Sequence, residues 1–221
     1  MSEAFRAWAL TPIATAYLIV AEGKETLPKN TDEAKIRSWM VTLGTASLAW
    51  ISRTHTTNNL AYWAGSGVIL AGIAGQRRDF FNAAIALADH GIDTTKYDGT
   101  LPSEISRGQR ALEYHIFALT PLTLIAQAAS VNGVDLFARN HQALKRVADR
   151  ITASRNDHSF FEKAAKAKQS APYPLPAGDW AWAEIILLHY KDPPLAAIVK
   201  PLRPIRFDRA GGDVTLLYGA P

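Results

Sequence analysis

At 221 residues, 48% of them hydrophobic, the chain is long enough to bury a substantial core, either as one large domain or as two small ones, and one domain over 1–221 is expected. It has no cysteine, which excludes a disulfide framework and any cysteine-ligated metal site. The net charge of +4 suits an anionic partner, but the densest basic groups, "GQRRD" at 75–79 and "RPIRFDR" at 203–209, are short and interrupted, without the basic stripe of a nucleic-acid module.

Apolar residues recur at helical spacing in long blocks, beginning with 3–21. In this block Thr11, Pro12 and Thr15 break the apolar run and Glu3 and Arg6 open it, a pattern of neither a signal peptide nor an uninterrupted membrane span. No export signal is visible, so the chain is either cytoplasmic or begins upstream of Met1. A second helix is expected over 31–52, capped by Asn30 or Thr31 with Asp32 and Glu33 in its first turn. A third is expected over 56–75, and a fourth from Asp79 to about His90, stopping at Gly91. A fifth covers 103–130, kinked or divided at Pro121, and a sixth covers 135–153. Beyond a proline-rich loop, "WAWAEIILLHY" is one more helix, "KDPPLAAIVKPLRPIRF" is irregular, and "DVTLLYG" is the one strand-like run. Long helices joined by short loops predict an all-α fold of antiparallel hairpins. No fixed-period repeat supports a solenoid.

Two clusters carry possible chemistry. In "THTTNNLAYWAGSG", residues 54–67, helical spacing puts His55, Asn59 and Trp63 on one face, with Asn58 and Tyr62 on the neighbouring row. Gly65, Ser66 and Gly67 leave the next turn nearly bare, open to a backbone or a ligand. Taken alone, Asn59 fits a satisfied buried amide and Trp63 ordinary core better than they fit a site. In "SEISRGQRALEYHIFAL", residues 103–119, Arg107 and Tyr114 lie two turns apart, Arg110 lies one turn before Tyr114, and His115 sits at the edge of that face. A cation beside a phenol stabilises the phenolate, as a tyrosine base requires. A solvated arginine over a packed tyrosine has the same spacing.

"NNLAYWAGSGVILAG", "GQRRDFFNAAIALA", "GTLPSEISRGQRALEYHIFALTPLTLIAQAASVNGVDLF" and "GGDVTLLYG" occur in that order. Together they resemble the alginate lyases of polysaccharide lyase family 5, the periplasmic poly(β-D-mannuronate) lyases. The resemblance implies an incomplete (α/α) toroid and β-elimination of a polyuronate, giving unsaturated uronate ends with no cofactor and no metal. It also implies an anionic polysaccharide as partner, with neither nucleic acid nor membrane. By motif position it implies that Asn59 and Arg107 neutralise the uronate carboxylate and that Tyr114 takes the proton and returns one to the leaving oxygen. Trp63 and His115 would line the sugar groove. Arg203, Arg206 and Arg209 would reach other carboxylates, with Arg209 the one singled out.

The sequence departs from the family pattern at position 60, where Leu60 replaces the histidine that follows the paired asparagines. Leucine cannot donate a hydrogen bond or carry charge, and loss of such a donor typically costs about 100 to 1,000-fold in rate. His55, one turn before Asn59, is the candidate substitute. A homologue that binds anionic polysaccharide with weak or no cleavage is the alternative function. The resemblance also covers only the later part of the family, so the toroid is expected to lack its first helices.

Overall fold

The computed structural model describes residues 2–22 and 32–219. Long helices dominate it: α1 (Glu3–Glu22), α2 (Glu33–Thr54), α3 (Asn59–Ala74), α4 (Arg78–Thr94), short α5 (Pro102–Ile105), α6 (Ala111–Val131) and α7 (Arg139–Ala153). Shorter elements follow: α8 (Ser159–Ala165), α9 (Ala181–His189), α10 (Pro193–Val199), a two-residue antiparallel ladder of β1 (Arg206–Phe207) with β2 (Gly212–Asp213), and α11 (Val214–Tyr218).

Helix α3 is the hub and packs on α1, α2, α4 and α6. Its sequence explains why. All but Leu60, Leu70 and Ile73 of its sixteen residues are buried, and a helix that is apolar all round must be surrounded. The bare turn admits backbone: a methyl group on Gly67 would lie 2.9 Å from Leu10 Cβ and 3.2 Å from the Ala7 carbonyl oxygen. Ser66 and Thr11 join hydroxyls at 2.7 Å across the same contact. Gly65 faces Ile125 of α6 and Leu87 of α4, so the small residues at 65–67 receive neighbouring helices rather than a ligand.

Several boundaries differ from the sequence expectation, each for a local reason. Asn30 and Thr31 lie outside the described residues, and Asp32 caps α2, accepting from the Lys35 N–H at 3.0 Å. Helix α3 starts at Asn59 because Asn58 is its cap, accepting from the Leu60 N–H at 3.0 Å. Pro121 lies inside the continuous α6. The expected break comes earlier, at Gly108 with φ +60, where α5 gives way to the 3-10 turn Gly108–Arg110. Helix α10 lies in the stretch expected to be irregular, and α8 forms where no element was expected. The strand-like "DVTLLYG" is mostly α11, because Asp213 accepts from the Leu216 N–H at 2.9 Å and caps a helix. Two described stretches, Glu3–Ala21 and Gly108–Val131, are long and apolar enough to cross a membrane, and the second is apolar because it includes α6, which is largely buried in the core.

The C-terminal ladder is held against α9 by a buried carboxylate. Glu184 accepts from Arg203 Nε at 2.9 Å and from Thr215 Oγ1 at 2.6 Å. Thr215 Oγ1 in turn accepts from the Ile205 N–H at 2.9 Å. Gly211 and Gly212, at φ +106 and +105, close the turn that contains Arg209.

Candidate active site

Tyr114, in the first turn of α6, lines a cavity of about 390 Å³ together with Trp8, Arg110, Glu113, Phe117, Asp179 and Arg209. The guanidinium carbons of Arg107 and Arg110 lie 4.8 and 4.7 Å from the centre of the Tyr114 ring, cation–π distances that set two positive charges on the phenol. The spacing argument anticipated this meeting, although Arg107 and Arg110 reach the ring from a 3-10 turn and not from α6 itself. The hydroxyl of Tyr114 has no hydrogen-bond partner among the described residues. Arg209, carried by the C-terminal turn, places its guanidinium carbon 4.5 Å from the Trp8 ring centre and 5.1 Å from that of Phe117. Of the three C-terminal arginines, it is the one that lines this cavity. Arg203 is committed to buried Glu184 and Arg206 pairs with Asp213 at 3.6 Å.

Asn59 lies behind this wall. Its backbone N–H and its Nδ2 donate to the two oxygens of Glu104, both at 2.9 Å, while its Oδ1 is buried without a partner. Glu104 is fully buried and lies 3.7 Å from Arg107 Nε. Burial pushes its carboxyl above the usual range, and the bonds from Asn59 and the charge of Arg107 pull the other way. Asn59, Glu104, Arg107 and Tyr114 thus form one chain of contacts from the hub helix to the cavity. Sequence reasoning overlooked Glu104, although its position three residues before Arg107 was a readable signal.

Three residues expected at the site lie elsewhere. Trp63 is 0% exposed and packs on Phe117 at 5.2 Å between ring centres and on Phe207 at 5.9 Å. It backs the cavity and offers sugar no open face, because α1, α6 and the C-terminal ladder close over α3. His115 is also 0% exposed: its Nδ1–H donates to the Ala111 carbonyl at 2.7 Å and its Nε2 accepts from the Leu101 N–H at 2.9 Å. This pair of bonds fixes the neutral tautomer, and burial pushes the imidazole down to about 4. His115 therefore anchors the start of α5, the helix that carries Glu104. His55 is exposed at the left-handed C-cap of α2, φ 50, and the turn before Asn59 is loop, so the two share no helical face. Leu60 is half-buried and packs against the core. Trp8 and Asp179, which also line the cavity wall, went unselected because nothing local distinguishes them.

The alginate lyase family model matches residues 1–161. The chain belongs to the alginate lyase family. An alginate lyase of Pseudomonas fluorescens is 36% identical over 98% of this chain and 60% of its own length. A polysaccharide lyase of Stenotrophomonas maltophilia is 35% identical over 96% of the chain and 62% of its own length. The crystal structure of alginate lyase A1-III from Sphingomonas species A1 matches 97% of the chain and 62% of its own, with a TM-score of 0.79 at 23% identity. A variant of alginate lyase A1-III complexed with tetrasaccharide matches with a TM-score of 0.76. The fold is the all-α, incomplete (α/α) toroid of those alginate lyases, and the chain spans about 60% of the length of the curated relatives it matches.

Proposed function

We propose that the chain is a polysaccharide lyase that cleaves mannuronate-rich alginate by β-elimination in the periplasm, where lyases of this kind act. The observation that carries this reading is the phenol of Tyr114, set in a cavity wall beneath the guanidinium groups of Arg107 and Arg110. The proton to be removed lies α to a uronate carboxylate. Arg107, Arg110 and Arg209 neutralise that carboxylate and its neighbours along the polymer, which lowers the cost of the enolate that forms as the proton leaves. Tyr114 as phenolate takes the proton. The C–H electrons become the new C=C bond, the glycosidic C–O electrons leave on oxygen, and the same tyrosine returns a proton to that oxygen. Asn59 serves by holding Glu104, since its amide already donates to that carboxylate. No step requires a metal or a cofactor.

The test is the ultraviolet absorbance of unsaturated product when the protein meets polymannuronate, polyguluronate and polyglucuronate, with Tyr114→Phe in parallel. Product that Tyr114→Phe abolishes is expected. No product from the parent chain, followed by product from Leu60→His, would instead identify an intact scaffold silenced at one residue. Binding without product from either would favour the non-cleaving homologue.

A further inference from the structure

One carboxyl group in the cavity wall has no use in the elimination described above. Asp179 stands in the 3-10 turn Ala177–Trp180, whose backbone is tied by its own N–H to the Pro176 carbonyl at 3.0 Å. Trp180 next to it is buried and packs against Trp182 with ring centres 5.6 Å apart, so the turn is anchored in the core. The side chain of Asp179 is half-buried, lines the cavity with Tyr114, Arg110 and Arg209, and makes no hydrogen bond or ion pair among the described residues. Glu113, the other acid of the wall, differs: Arg110 Nε donates to one of its oxygens at 2.9 Å and Ser170 Oγ to the other at 2.9 Å. Asp179 is therefore the acid of this wall whose oxygens have no partner among the described residues.

A half-buried carboxyl group without a partner is unfavourable in any protein, and beside a polyanion it adds repulsion. Burial and the charge of Glu113 push its carboxyl above the usual range, as expected of such a position. What offsets these costs has to come with the ligand. Each internal residue of a 1,4-linked polyuronate carries one carboxylate, which the arginines satisfy, and two hydroxyl groups, which are donors in need of an acceptor.

We propose that Asp179 is a substrate-binding residue that accepts hydrogen bonds from sugar hydroxyl groups, and so sets the register in which the arginines meet the carboxylates. This rests on the polyuronate reading above. It makes a prediction of opposite sign to simple electrostatics. If Asp179 were only a negative charge near the site, its removal would tighten binding of an anionic oligosaccharide; as an acceptor, its removal weakens binding.

The experiment is calorimetric titration of mannuronate tetrasaccharide into Tyr114→Phe protein, which keeps the ligand intact, with and without Asp179→Ala or Asp179→Asn. Asp179→Ala is expected to weaken binding about tenfold or more, the scale of a lost hydrogen bond to a charged group. Asp179→Asn should weaken it less, because the amide oxygen still accepts. Both losses should persist in high salt, which screens long-range charge but not a contact. Unchanged or tighter binding in both variants overturns the proposal while leaving the polyuronate reading in place. Should Asp179→Ala fail to fold, the isosteric Asn variant alone decides by the same signs. A Tyr114→Phe parent that binds no tetrasaccharide overturns both readings.

Discussion

Trp8 and Trp63 make the informative comparison. Both are tryptophans on helices, both contact Phe117, and both leave an indole N–H unpaired. Trp8 lines the cavity under Arg209, while Trp63, which sits in the polar motif, is sealed behind it. The same contrast separates Tyr114 from its neighbour His115: one residue along the helix turns the side chain from the cavity to the core. In this wall, motif membership does not decide which side chain a substrate meets. The cavity-side residues supply charge and a proton acceptor; the residues behind them fix the geometry.

The largest expected effect comes from the cavity side. Tyr114→Phe should lower product formation by about 100 to 10,000-fold, the usual contribution of a positioned acid–base group, with thermal unfolding unchanged. A Tyr114→Phe enzyme of near-normal rate would remove the contrast altogether. Trp63→Ala tests the other side. It should destabilise the fold by about 3–5 kcal/mol, read by denaturant unfolding, whereas Trp8→Ala should spare stability and raise KM. Equal stability losses in the two variants would show that both tryptophans are structural.

His115 sharpens the buried half through pH. The folded imidazole stays neutral to about 4 whereas the ordinary value is 6.5. Between those values the unfolded chain binds more protons, so this contribution to stability is fully present above pH 6.5 and is lost as pH falls toward 4. The loss amounts to about 3 kcal/mol. Buried Glu104, with its carboxyl pushed up, works in the opposite sense. The readout is therefore the difference in unfolding free energy between the parent and His115→Gln across that window, and a flat difference would place His115 in solvent. The smallest effect belongs to His55→Ala, expected to change rate by less than about twofold and stability by less than about 0.5 kcal/mol, as for an ordinary surface position. A tenfold loss of activity would return His55 to the site as the substitute for the missing histidine at Leu60.

Much of this arrangement was legible in the residues. Apolar spacing located α1 to α4, α6 and α7, and the seven-residue step from Arg107 to Tyr114 foretold their contact. Asn58, by contrast, is expected inside the helix over 56–75, whereas its short range to the Leu60 N–H makes it the cap. Asp213 did the same at α11, where a local hydrogen bond outweighed a strand-like composition. Glu104 was readable beside Arg107 but not beside Asn59, from which 45 residues separate it.

By itself, then, the sequence determined what acts within a turn or two: the helix periods and the Arg107–Tyr114–Arg110 stack. Only the tertiary structure decided what is covered. Trp63 and His115 are buried because α1, α6, α8 and the C-terminal ladder close over them, and Trp8, Asp179 and Arg209 become neighbours of Tyr114 from distant parts of the chain. Local spacing sets the direction of a side chain on its own helix. Whether that direction meets solvent, substrate or core depends on the element that packs across from it, and no short-range pattern carries that information.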